Sequence, residues 1–303
     1  QSPRLIEETI MNQLRTLPSY IFLTDDKSRL RAGWRILIAV ILTGLFFNIV
    51  DWVRSALSMT GPTTNIVGNL IDFFVVTGAI FIARRFADKR SFTSLGFHVN
   101  KQTGFDLLIG IAITFLLFFV IYAVEYFMGW LKFDSFAWQT DSPALVISQT
   151  TKYFIWFIFV AWNEELVYRG YIMQSLASGL NLTLGILISS LYFGIEHLSN
   201  PNSNGMAVAG IFLIGLFFAY AYIRTGQLWL SIGLHLGWNF FESAVFGFPV
   251  SGYDRPGLFH ISVSGPEPWT GGAFGPEAGL IMIPIVLFGA LLIYLYTKHR
   301  QLS

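Results

Sequence analysis

Eight runs of roughly twenty mostly apolar residues divide this chain: about 33–53, 64–83, 105–129, 145–168, 180–197, 206–223, 228–248 and 277–297. A helix needs about 20 such residues to cross the hydrocarbon core of a bilayer. Backbone groups in hydrocarbon must be satisfied internally, so a spanning segment is a helix or part of a closed barrel. These runs are continuously apolar rather than alternating, which selects helices. The expected fold is therefore all-α, a polytopic membrane helical bundle of about eight transmembrane helices. Composition agrees: charged residues make up only 12% of the chain, against about 25% in an average soluble protein.

Residues 1–32 read as an amphipathic lead-in, cytosolic or interfacial, with Ile6, Ile10 and Leu14 at four-residue spacing. Gln1–Leu30 has no compact apolar core followed by a small-residue cleavage site, so no signal peptide is expected there. Residues 33–303 form a single transmembrane domain. Leu198–Gly205, rich in Pro, Asn, Ser and Gly, is a turn, and Pro249–Gly275 reads as a long loop on one face of the membrane. With eight spans and a cytoplasmic N-terminus, fifteen of the 19 Lys and Arg residues fall inside. That bias orients both termini towards the cytoplasm. The absence of cysteine excludes disulfides, cysteine-ligated zinc and a thiol nucleophile. No basic stripe or nucleic-acid motif is present.

Charge at membrane depth is costly and marks function by default. Glu164, Glu165 and Arg169 directly follow the apolar run Tyr153–Trp162. Glu165 and Arg169 are four apart with the acid N-terminal, the better orientation for a helical ion pair. Glu164 lies about 100° round the helix and lacks that partner; apolar surroundings suit it to general-base chemistry. Phe193 and His197 share a helical face at the end of the fifth run. His235 and Asn239 share one in the seventh, where they read as a pair. Glu196 and Glu242 neighbour these sites. Asp72 reads as a possible buried-network member, and Asp106 and Glu125, near segment ends, read as solvated. Ser175, Ser189 and Ser190 have no G-x-S-x-G context and suggest no serine nucleophile.

Taken together, Glu164-Glu165-x-x-x-Arg169, Phe193-x-x-x-His197 and His235-x-x-x-Asn239 resemble the CPBP intramembrane proteases. That family includes the type II CAAX prenyl endopeptidases and the bacteriocin-processing or abortive-infection membrane proteins. The resemblance places a protease core at about 150–245. It implies an endopeptidase acting on a membrane-associated protein or peptide, prenylated ones among the candidates, within a bacterial or archaeal plasma membrane. Glu164 with His197 would activate water, and His235 with Asn239 would donate to the oxyanion. Glu165, Arg169 and Phe193 would support them, and no cofactor would be needed.

Two other readings stay open on the sequence. Glu164, His197 and His235 could bind zinc, which accepts N and O ligands. Buried Glu, Arg and His also build proton relays, so a transporter or a scaffold could carry them. In an eight-span arrangement His197 ends its helix towards the outside while Glu164 lies nearer the inside. The two meet only if the fifth helix is short, tilted or re-entrant, or if Glu164 sits deeper in the fourth.

Overall fold

The computed structural model describes residues 22–24, 28–56 and 66–300. Ile6, Ile10 and Leu14 of the expected lead-in lie outside the described residues. Six helices among the described residues are long and apolar enough to cross a membrane: α1 (Ala32–Ala56), α2 (Ile66–Ala87), α3 (Lys101–Phe127), α4 (Pro143–Gly179), α5 (Leu182–Ser199) and α6 (Gly205–Thr225). Two shorter helices complete the bundle, α7 (Trp229–Asn239) and α8 (Met282–Thr297). The protein is a multi-pass integral membrane protein.

Helix starts follow from capping residues. Asn100 accepts from the Gln102 amide at 2.8 Å, Asn181 from Leu184 at 2.9 Å, and Asn204 from Met206 and Ala207 at 2.9 and 3.0 Å. Each satisfies N–H groups that the helix itself leaves without a partner. Ser142 caps α4, and Pro143, which has no N–H to lose, occupies its first turn. Gly226 ends α6 with φ of 65°, a left-handed conformation that costs glycine little.

α4 continues through the glutamate motif without a break, winding as a π-helix over Leu166–Ile172 before resuming over Met173–Gly179. The α-helical part of α5 spans only Leu182–Glu196. Fifteen residues separate Glu164 from the end of α4, and fifteen separate His197 from the start of α5. At 1.5 Å per residue both side chains stand about 22 Å from the connecting turn. The short fifth helix and the deep Glu164 thus bring the two to one level.

The seventh expected span, 228–248, is different in kind. The α-helical part of α7 has 11 residues and rises about 16 Å, and with the π-helical stretch that follows it the helix ends at Val245, still short of the about 20 residues of a span. Every residue from Leu230 to Asn239 is buried, and the chain continues as a π-helix over Phe240–Val245. α7 is a central helix enclosed by protein, not a span against lipid. Its tightest neighbour is α3. A Cβ on Gly233 would stand 2.4 Å from the Leu107 carbonyl oxygen, and one on Gly110 would stand 2.5 Å from the Leu234 amide nitrogen. Glycines there let the two backbones touch. Phe118, Phe217 and Phe218 pack around Trp238 of α7 in the larger apolar core.

The stretch read as an open loop, Pro249–Gly275, is folded back onto the bundle. Its strand β2 (Phe259–Val263) pairs antiparallel with β1 (Leu131–Phe136), with a register shift between Phe133 and Ser135. Strands of five and six residues carry too little alternation to stand out between long apolar runs.

Asp106 and Glu125 are not solvated. Asp106 is buried, pairs with Arg300 at 2.7 Å and accepts from the Tyr296 hydroxyl at 2.8 Å, which ties the C-terminal end to α3. Glu125 is fully buried, and neither carboxylate oxygen has a hydrogen-bond partner. A second buried network joins α1, α2 and α4: Arg35 pairs with Asp88 and donates to Ser178 at 2.7 Å, and Arg84 pairs with Asp88 at 3.1 Å.

Candidate active site

The polar centre is built on Glu165, which is wholly buried. Its Oε1 accepts from Arg169 Nη1 at 2.8 Å and lies 2.8 Å from His235 Nδ1; its Oε2 accepts from Ser231. Arg169 also donates to the Gly215 carbonyl at 3.3 Å and lies 4.3 Å from the Phe193 ring centre. A buried carboxylate is tolerable only when paired and hydrogen-bonded, and Glu165 is both. The expected pairing of Glu165 with Arg169 is present, and Glu165 reaches further, across to α7. His235 is therefore held by Glu165 rather than by Asn239. The reason is direction: Asn239 shares the helical face of His235, but the fixed carboxylate on α4 stands at the imidazole's Nδ1.

Glu164, from the same turn, faces the cavity. Its side chain is 31% exposed, against none for Glu165, so it is the carboxylate a ligand can reach. Glu164 Oε2 stands 3.5 Å from His235 Nε2. His197 closes the α-helical part of α5. Its Nδ1 lies 2.8 Å from the Phe193 carbonyl, which can only accept, so the proton sits on Nδ1 in that bond and Nε2 faces away. Phe193 lies edge-on to His197 at 4.8 Å and to His235 at 6.1 Å, between the two imidazoles.

Glu164, His197, His235 and Asn239 all line one cavity of about 320 Å³, together with Phe193, Glu196 and Phe218. The three motifs converge. Among the described residues no group of three His, Cys, Asp or Glu side chains is arranged to hold a metal ion. Both ring nitrogens of His235 face carboxylates, Glu165 at Nδ1 and Glu164 at Nε2.

Sequence reasoning missed three contributors. Ser231 precedes His235 by four residues, so the face reads Ser231, His235, Asn239 at constant spacing, a signal that was available. Glu277 is buried in the cavity wall and accepts from Trp238 Nε1 at 2.9 Å, from the Ser251 amide at 2.7 Å and from the Ser251 hydroxyl at 2.9 Å. Burial pushes the Glu277 carboxyl above its ordinary range, against the opposing pull of His197 and these donors. Its signal was an acid at the head of an apolar run. Glu242, already placed next to the site by its sequence position, is fully buried beside Glu277, and its oxygens have no hydrogen-bond partner among the described residues. The third contributor is the fold-back segment, which supplies Val250, Ser251, Tyr253 and Arg255 to the wall.

The glutamate pair and both imidazole motifs fall within residues 146–241, which match the family model described as Type II CAAX prenyl endopeptidase Rce1-like. Over these residues, about a third of its length, the chain is similar to the Rce1-like family. That likeness points to the membrane-protease class. It is 25% identical over 248 residues to the uncharacterized protein YyaK of Bacillus subtilis, covering 78% of this chain and 76% of that protein. It is 38% identical over 82 residues to an uncharacterized 24.3 kDa protein of Escherichia coli, covering 26% of this chain and 37% of that one. No solved structure matches.

Proposed function

We propose that this cavity hydrolyses a peptide bond in a membrane-associated protein or peptide, a prenylated one among the candidates, with Glu164 as the base. The observation that carries the reading is how the two imidazoles are held. His197 spends its Nδ1 proton on the Phe193 carbonyl, so its Nε2 is an acceptor and can share a water molecule with Glu164. His235 donates through Nδ1 to Glu165 and turns Nε2 towards Glu164, a geometry that suits a donor on that nitrogen too. One imidazole then helps take the water's proton, and the other, with the Asn239 amide, donates to the oxyanion that forms on the attacked carbonyl. Preorganised donors act strongly in a water-poor site. Arg169 neutralises Glu165, which leaves Glu164 as the basic carboxylate of the centre.

The reading needs no metal ion. Cleavage of a peptide library that includes farnesylated C-terminal peptides tests it, with Glu164→Ala in parallel. Loss of the base lowers turnover on the order of 10² to 10⁴-fold. Asn239→Ala lowers it by about 10² to 10³-fold, a loss that a transport function would not show. One equivalent of tightly held zinc whose removal abolishes cleavage would overturn the metal-free scheme.

A further inference from the structure

We propose that Arg255 is the receptor for a carboxylate of the substrate, and so a specificity-determining residue of the cavity. The inference rests on the peptidase reading above. Arg255 stands on the fold-back segment and is the Lys or Arg that lines the cavity among the described residues. Its guanidinium lies 4.2 Å from the Trp156 ring centre, 5.1 Å from Tyr253 and 5.9 Å from Tyr153. These rings hold the cation by its face. Among the described residues no carboxylate lies within ion-pair distance of it. Its Nε is buried without a hydrogen-bond partner.

The buried arginines at polar centres of this protein are paired, Arg35 and Arg84 with Asp88 and Arg169 with Glu165, whereas Arg255 is half-buried. Arg255 departs from that pattern at the cavity wall. A guanidinium offers five N–H donors in a fixed fork that matches a carboxylate with two parallel bonds. The ring faces hold the cation but leave the buried Nε–H without a hydrogen-bond partner, so the site is incomplete for hydrogen bonding until an acceptor arrives.

Its position sets the register. Trp156, Val160 and Glu164 follow at four-residue spacing on α4 and all line the cavity. Eight residues separate Trp156 from Glu164, which is about 12 Å along the helix. An extended peptide advances about 3.3 Å per residue, so the recognised carboxylate lies about three to four residues from the scissile bond. That carboxylate is either the peptide's C-terminus or an acidic side chain.

The experiment uses the full-length protein and the farnesylated library made in three forms: free C-terminal acids, C-terminal amides, and amides with Glu scanned along the chain. The kcat and KM of wild type, Arg255→Gln and Arg255→Lys are compared. Affinity for the same peptides is measured on Glu164→Ala, with and without Arg255→Gln. Wild type is expected to favour a carboxylate through KM by about tenfold, and Arg255→Gln to erase the preference while sparing kcat on amides. Preference for the free acids identifies the C-terminus; preference at one scanned Glu identifies a side chain. Arg255→Lys, which keeps charge without the fork, is expected to fall between. If Arg255→Gln melts early, Arg255→Lys carries the comparison. A carboxylate preference that survives Arg255→Gln, or wild type with none, overturns the inference alone. Arg255-dependent binding without any cleavage overturns the peptidase reading and leaves Arg255 standing. Neither binding nor cleavage overturns both.

Discussion

At the scale of single residues, two adjacent glutamates are separated by one step of helical rotation into different lives. Glu165 is consumed by Arg169, Ser231 and His235, while Glu164 keeps a reachable carboxylate. That division was legible in the sequence because 100° per residue follows from helix geometry alone. What Glu165 does on the far side was not legible, since nothing local to α4 says that His235 stands there. Replacing Arg169 by Leu leaves Glu165 buried without its counter-charge. A loss of about 3–5 kcal/mol is expected, read as a fall in melting temperature in detergent, whereas the double substitution Glu165→Gln with Arg169→Leu should recover stability but not turnover. A second residue-scale outcome concerns Glu277. Burial raises its pKa, so the folded protein holds that proton more tightly than the unfolded chain does. The associated stability is full below the ordinary glutamate range, near about pH 4, and is lost as pH rises through the raised value. Thermal melts of Glu277→Gln across that range should show a flatter pH dependence than wild type; equal slopes would mean that another group sets it.

At the scale of elements, helix lengths decide whether the chemistry can assemble. α4 and α5 meet in a hairpin whose arms bring Glu164 and His197 to the same height. The apolar run at 180–197 has the length of a span, and only the 3₁₀ turn at His197–Ser199 reveals that the regular helix stops early. α7 and α3 meet through bare backbone at Gly233 and Gly110. Gly233→Leu would force them apart; overpacking of this kind costs about 1–3 kcal/mol. Because His235 rides on α7 two residues later, activity should fall more than stability does. A Gly233→Leu variant with wild-type turnover would mean that the contact does not position the imidazole. The fold-back segment 249–275 was the least legible part. Its residues are held by contacts distant in sequence, such as Ser251 with Glu277 and β1 with β2, and local composition announces only a loop.

At the scale of the whole molecule, the apolar runs announced a helical membrane bundle, and six of them became helices long enough to span. Composition could not separate a helix surrounded by lipid from one surrounded by protein, because both environments are apolar; α7 is the case in point. Orientation follows from the lysine and arginine bias, and the lack of native cysteine makes it directly testable. With both termini cytoplasmic, a single cysteine placed at Lys132 should react with an impermeant thiol reagent applied outside intact cells, and one at Arg85 should react only after permeabilisation. The reverse pattern would invert the assignment.

The enclosure of α7 also bears on how the protein is made. A helix that ends at Val245 even with its π-helical continuation, and that carries His235 and Asn239, is too short and too polar to be stable in lipid by itself. It is seated only when α3 and its other neighbours are already present to receive it. The oxyanion donors proposed here ride on that helix, so a nascent chain would hold Glu164 in the membrane well before it held a competent centre. The newly inserted helices would thereby be spared cleavage by their own unfinished enzyme.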